Sequence, residues 1–288
     1  MKLVTALLLA TVLCAQPTSS TLVSNGDGTV TDPQTGLQWQ QSDGGEMTWE
    51  AAAPYCRGLA LAGFHDWRLP ATGELISIVN YNAVNPALDT TVFPRTGADY
   101  WWASEPRADS PRHAWTVNAG GGAGAHPLRE TLSAGGDRRF HARCVRTLRP
   151  APPVPVPFRD NGDGTVTDLR TGLMWQRAAA PATLTWDQAA DYVKALHLAG
   201  HDDWRLPAIQ EIRSLNDESR VRPSIDTTAF PGAGPDLYWS STPQFRRPAN
   251  AWTIDFTFGI VSYNNKNETL RVRAVRQGGL LINKGKGK

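Results

Sequence analysis

Six histidines could carry acid–base or metal chemistry: His65, His113, His126, His141, His197 and His201. A catalytic zinc site needs histidines and a carboxylate at set helical spacing. No zinc-protease motif, Gly-x-Ser-x-Gly elbow or phosphate loop occurs in the chain. No histidine of one half has a histidine counterpart in the other. Asp160-Asn-Gly-Asp-Gly with Asp168 has the carboxylates of a calcium loop, but it lacks the twelfth-position Glu. Ser24 stands where Asp160 would recur. The turn-forming reading of Asn-Gly-Asp-Gly outweighs calcium. The sequence therefore assigns no catalytic residue, no metal ligand and no cofactor.

Binding chemistry has more to work with. Trp101 is the single Trp without a Trp counterpart; Tyr238 stands opposite. An indole can stack on a sugar, although burial in a core is the more economical use of so large a ring. The first half carries about seven extra residues between Asn118 and Arg143, and His126, Arg129, Arg138 and Arg139, with His141 and Arg143, give that stretch a cationic character around its Gly-rich insertion, Gly120 to Gly124. The matching stretch after Trp252 carries Tyr263, Asn264, Asn265 and Lys266, a polar set suited to a sugar or a protein surface. Long loops on a rigid scaffold are where binding tends to reside, and these residues are the candidate ligand contacts.

These residues sit in a chain that is written twice. Asp66-Trp-Arg-Leu-Pro70 recurs as Asp203-Trp-Arg-Leu-Pro207. Asn25-Gly-Asp-Gly-Thr-Val-Thr-Asp32 recurs from Asn161, Thr35-Gly-Leu-Gln-Trp-Gln40 from Thr171, and Arg143-Cys-Val-Arg146 as Arg273-Ala-Val-Arg276. The period is that of a whole domain rather than a solenoid unit. Ten of the 11 Trp fall in repeat pairs, which marks them as core. Trp67, Arg68, Trp204 and Arg205 read as structural. Each guanidinium would tie carbonyls or a carboxylate together, with Asp66 and Asp203 as partners or turn-formers.

The expected domains are 22–148 and 158–277, joined by a semi-rigid Pro-rich linker at 149–157. Residues 278–288 read as a disordered Gly/Lys tail. Each half opens on a hairpin. A helix follows, capped by Thr48 or Thr185, with Gln188 completing a capping box. A shorter helix is expected near 73–79 and 210–217, and short strands close the half. That is an α+β fold.

Residues 1–15 read as a cleaved export signal: Lys2, then the apolar run Leu3–Leu13. Bulky Leu13 before Cys14 argues against a lipid anchor, and no later stretch is apolar enough to span a bilayer. Residues 22–149 carry a net −2 and residues 158–277 a net 0, and Lys2 with the tail lysines Lys284, Lys286 and Lys288 brings the chain to +2, so neither half is basic. That argues against a nucleic-acid partner. Beyond the signal only Cys56 and Cys144 remain, opposite Val193 and Ala274. Sulfur absent from both positions together is what a bonded pair predicts in an oxidising compartment. A Cys56–Cys144 disulfide is expected.

The order Asp-Gly-Thr-Val-Thr-Asp, Thr-Gly-Leu-x-Trp, Trp, Asp-Trp-Arg-Leu-Pro, Tyr-Trp-Ser-Ser, Arg-x-Val-Arg resembles the Lcl C-terminal domain family. That family is named for the terminal domain of the Legionella collagen-like adhesin. The resemblance covers 25–146 and 161–276. It implies a C-type-lectin-like α+β fold and, in the adhesin, sulfated-polysaccharide binding at a cell surface by a trimer. This chain has no Gly-X-Y stalk. The leading expectation is an exported, non-catalytic binding or adhesion protein that recognises a glycan or surface protein. The alternatives are an envelope enzyme or a structural assembly component.

Overall fold

A computed structural model describes residues 22–131, 140–149 and 157–278. Arg138 and Arg139, the expected signal peptide, the inner linker and the tail lie outside the described residues.

The first half opens on strands β1 (Val23–Ser24), β2 (Thr29–Asp32) and β3 (Leu37–Gln40). The turn into β2 is closed by its own side chains. The Asn25 amide donates to the hydroxyls of Thr29 and Thr31 at 2.8 and 2.9 Å. Asp27 Oδ1 accepts from the backbone N–H and hydroxyl of Thr29 at 3.0 and 2.6 Å. Asn161 and Asp163 repeat this arrangement. One carboxylate oxygen of each turn aspartate, Asp27 and Asp163, is thus bound into its own hairpin. Gly28 at φ +86° and Gly164 at φ +88° hold conformations that favour glycine.

Helix α1 (Trp49–Gly58) buries Ala52 and Cys56, and helix α2 (Thr72–Ser77) buries Leu75 and Ile76. Strands β4 (Tyr100–Arg107), β5 (Ser110–Asn118), β6 (Ala123–Pro127), β7 (Phe140–His141) and β8 (Val145–Thr147) complete the half. β8 returns to β3 and closes the sheet β1-β2-β3-β8. The second half repeats the plan with β9 (Phe158–Asp160), β10 (Thr165–Asp168), β11 (Leu173–Gln176), α3 (Trp186–Lys194), α4 (Ile209–Arg213), β12 (Leu237–Pro243), β13 (Asn250–Asp255), β14 (Ile260–Asn265) and β15 (Val275–Gln277). Thr185 accepts from the Gln188 N–H, and the Gln188 side chain accepts from the Thr185 N–H at 3.0 Å, forming the expected capping box. Thr48 begins α1 without a side-chain bond. The second helices are shorter than the sequence suggests and begin at Thr72 and Ile209, because a Glu at the third position (Glu74, Glu211) caps each start.

Cys56 and Cys144 form the expected disulfide, closing a separation of 88 residues. Val193 and Ala274 fill the same place in the second half, 4% and 0% exposed. Strand outweighs helix, and the α+β class fits loosely.

The two halves share one sheet, ordered β12-β13-β14-β6-β5-β4-β7. Its joint is the antiparallel pairing of Val261 with Ala123. Ala123 faces Val117 on β5, and Val261 faces Ile254 on β13, so the two hold equivalent places. Equivalent residues paired antiparallel put a local two-fold axis between the copies. One apolar cluster runs through the joint and includes Trp39, Val117 and Ala123 of the first half with Trp175, Trp252 and Val261 of the second. Tyr81 meets Trp252 edge-on at 5.0 Å and donates to the Gly121 carbonyl at 3.1 Å. Burial at this joint pushes the Tyr81 phenol well above its usual range.

Candidate functional site

The repeated pentapeptide is wired differently from the expectation. Arg68 makes a two-pronged pair with Glu74 at 2.7 and 2.6 Å, and Arg205 repeats it with Glu211. The same Glu74 and Glu211 oxygens that hold Nη1 also accept from Ala71 N and Ala208 N, so each guanidinium is tied to the start of a short helix. Both arginines keep about two-fifths of their side chains exposed, at 41% and 42%. Asp66 and Asp203 partner a different arginine: Arg146 and Arg276, the last residue of each closing motif, at 2.6 Å. Those pairs hold both carboxyls below the usual range, chiefly through the guanidinium hydrogen bond. Trp67 and Trp204 are buried, with their indole N–H groups on Leu61 O and Leu198 O.

Among the described residues the fully buried arginines are Arg143 and Arg273, at 0% exposure. Grouping Arg143 with the cationic loop is therefore a correction. Its Nη1 donates to the carbonyls of Gln40 and Gln41, and its Nη2 to Thr96 Oγ1 at 2.9 Å and to Asp43. Asp43 also accepts from the Trp101 indole at 2.9 Å and from Gly97 N and Ala98 N at 2.8 and 3.1 Å. His141 Nδ1 lies 3.5 Å from it. Burial pushes the Asp43 carboxyl up, but His141, Arg143, Trp101 and Ala98 together hold it below its ordinary value. Trp101, 2% exposed, is a member of this network and of the core, not a surface platform. The sequence signal for the network was the Arg of Arg-x-Val-Arg; nothing near Asp43 in the sequence announced its partner.

The two candidate loops also need redrawing. Gly120–Gly124 is not an inserted loop. Gly120 and Gly121 form the turn between β5 and β6, Gly121 lies against Tyr81, Val79 and Trp252, and its counterpart is Gly259. Trp49 N donates to Leu128 O and Trp186 N to Lys266 O, so the copies stay in register to that point. They meet again where Met47 N and Leu184 N donate to Phe140 O and Leu270 O. The extra residues of the first half therefore lie at 131–139, opposite Thr269. His126 packs on Tyr100 and Phe140, with Nδ1 3.4 Å from Glu130. Arg129 is 90% exposed, 3.8 Å from Glu50.

In the second half Tyr263 lies half-buried on β14. Its ring meets Trp252 edge-on at 5.7 Å, and its hydroxyl accepts from Arg247 at 2.5 Å. The Asn264 amide donates to Glu268 at 2.9 Å, and Asn265 N donates to the other oxygen at 3.0 Å. The Lys266 ammonium sits 4.0 Å over the Trp186 ring. Lys266 N donates to Ala249 O, which brings the 244–250 turn, with Phe245 54% exposed, alongside. Ala125 holds the place of Tyr263 in the first half and is partly buried between the strands.

His197 and His201 stand four residues apart, but they flank the Ala199-Gly200 turn and share no helix face. A cleft of about 190 Å³ is lined by Phe158, Arg170, Asn216, Asp217, Glu218 and Asp226, and no histidine reaches it. No helix among the described residues is long and apolar enough to cross a membrane.

The sequence model of the Lcl C-terminal domain matches residues 28–146 and again 164–276. The chain belongs to the Lcl C-terminal domain family. It carries two tandem copies, and the matched ranges coincide with the two repeats of the fold. No curated protein matches the chain. The Lcl C-terminal copies share the buried arginine and both ion-paired motifs, and they differ at Asp43, at Tyr263 and at 131–139.

Proposed function

We propose that this protein is an exported, non-catalytic adhesion or binding protein built from two C-type-lectin-like domains, 22–148 and 158–277. Its ligand is a glycan or a surface protein. Family membership supports the adhesin-related reading. The observation that carries the site is the strip on β14 and the adjoining turn: Tyr263 under Arg247, then Asn264, Asn265 and Lys266 over Trp186. An aromatic face with a guanidinium and flanking amides supplies both stacking and hydrogen bonding to a sugar. His126 and Arg129 belong to a second surface at the corresponding edge of the first half. Trp101 is left out, because its ring is buried.

A glycan array probed with the full chain, wild type and Tyr263→Ala, tests this. Binding that falls at least tenfold in the variant, with an unchanged unfolding midpoint, supports the reading. Binding that is indifferent to Tyr263, or turnover of a substrate without any binding signal, would overturn it.

A further inference from the structure

The two copies solve the burial of one guanidinium differently. Arg143 and Arg273 occupy the same place. Each donates from Nη1 to two successive carbonyls, those of Gln40 and Gln41 or of Gln176 and Arg177. In the first half Nη2 meets Asp43 and Thr96. In the second, Nη2 of Arg273 is buried with no hydrogen-bond acceptor among the described residues. The registers explain why. Gly44 N donates to Ala142 O and Ala180 N to Val272 O, so the residue before each pair is equivalent: Asp43 in one copy, Ala179 in the other. The Thr96 position holds Ala233. Tyr238, at the Trp101 position, brings its hydroxyl to the guanidinium but does not complete Nη2 or Nε.

Arginine does not shed its proton to escape such a setting. A buried charge without a counter-charge is among the costliest features a fold can carry. The donors that converge on the Asp43 carboxylate have counterparts around Ala179. Arg273 Nη2 replaces Arg143 Nη2. The Tyr238 hydroxyl replaces the Trp101 indole. Gly234 carries the backbone N–H equivalent to that of Gly97. Arg271 takes the His141 position, as the parallel pairings Trp101–His141 and Tyr238–Arg271 show, and reaches Asp236 at 3.1 Å. Pro235 removes one donor, the counterpart of Ala98 N. Ala179 itself is partly exposed, which gives the place a way in from the surface.

We propose that the second half binds a compact carboxylate anion against Arg273, in the position that the Asp43 side chain takes in the first half. Cutting Asp back to Ala removes one carboxylate, so formate is the matching probe. The anion is either free or the carboxylate end of a larger molecule, such as a uronic acid. It forms a charge-assisted pair with Nη2 and accepts from Tyr238. The site is independent of the Tyr263 strip.

Thermal unfolding of the full chain in sodium formate, against sodium chloride at matched ionic strength, tests the proposal. Wild type is expected to gain about 2–4 °C in formate beyond chloride. Ala179→Asp supplies the carboxylate covalently, so the formate gain disappears. Asp43→Ala recreates the arrangement in the first half and gains a second, additional formate response. A glucuronate arm separates the sources: a matching gain identifies the end of a larger ligand, and a gain with formate alone identifies a free anion. Formate no better than chloride in wild type overturns the proposal, as does an undiminished response in Ala179→Asp. Should Ala179→Asp not fold, Asp43→Ala decides: no added response there overturns it.

Discussion

Asp43 is the residue on which the first half most depends, and it has no counterpart in the second. Five groups of the protein surround its carboxylate, and the Arg143 guanidinium beside it has no exposure to water. Asp43→Asn keeps the shape and removes the charge. The expected loss is about 3–5 kcal/mol, the usual result of leaving a buried ion unpaired, read by denaturant unfolding at neutral pH. The pH dependence has a defined sign. The folded pKa lies below the unfolded value, so the contribution is present above the unfolded pKa and fades as pH falls through the folded one. Wild type should therefore lose stability in strong acid more steeply than Asp43→Asn. At this scale the sequence was misleading about Arg143. A basic residue in a run of basic residues looks solvated until its partner is known, and that partner lies a hundred residues upstream.

The secondary-structure elements were more legible. Asn-Gly-Asp-Gly hairpins, the Thr185–Gln188 capping box and the paired tryptophans all obey local rules, and local rules can be read without knowing the tertiary fold. The disulfide was legible for a different reason: two copies of one fold show which positions change together. That comparison leads to a prediction. Cys56→Val with Cys144→Ala copies the packing of Val193 and Ala274. The double variant should fold and lose about 2–4 kcal/mol of stability, the value of a long closed loop. Its unfolding should be insensitive to reductant, whereas that of wild type is expected to shift. What could not be read were the strands' partners across the copies. The Gly120–Gly124 run looks like a loop because glycine is scarce in strands. Its true use is to let Gly121 pass close to Tyr81 and Trp252.

Across the whole molecule, the copies have diverged at the joint as well. Ile76 and Tyr81 of the first half are matched by Arg213 and Glu218, an ion pair of a buried guanidinium with a partly exposed carboxylate in the second. Glu105 caps α2 through Thr72, where Thr242 does the same for α4. Burial, and then the Glu218 carboxylate across the joint, push the Glu105 carboxyl up. A raised acid favours the fold only below its unfolded pKa, and that favour is lost as pH rises through the folded value. Ionised Glu105 therefore works against the joint at neutral pH. Glu105→Gln keeps an acceptor for Thr72 and is expected to raise the unfolding midpoint at pH 7, with the gain gone near about pH 4. Calorimetry at the two pH values checks it, and a gain that persists in acid would contradict the assignment.

The pairing of Ala123 with Val261 also limits how such chains can grow. A head-to-tail joint leaves a fresh edge after each addition and can extend without end. A joint in which each copy presents the same edge to the other is complete after one event, because both edges are used. Copy number in a chain built this way is therefore expected to run in twos. A third tandem copy would bring an edge for which the molecule holds no complement.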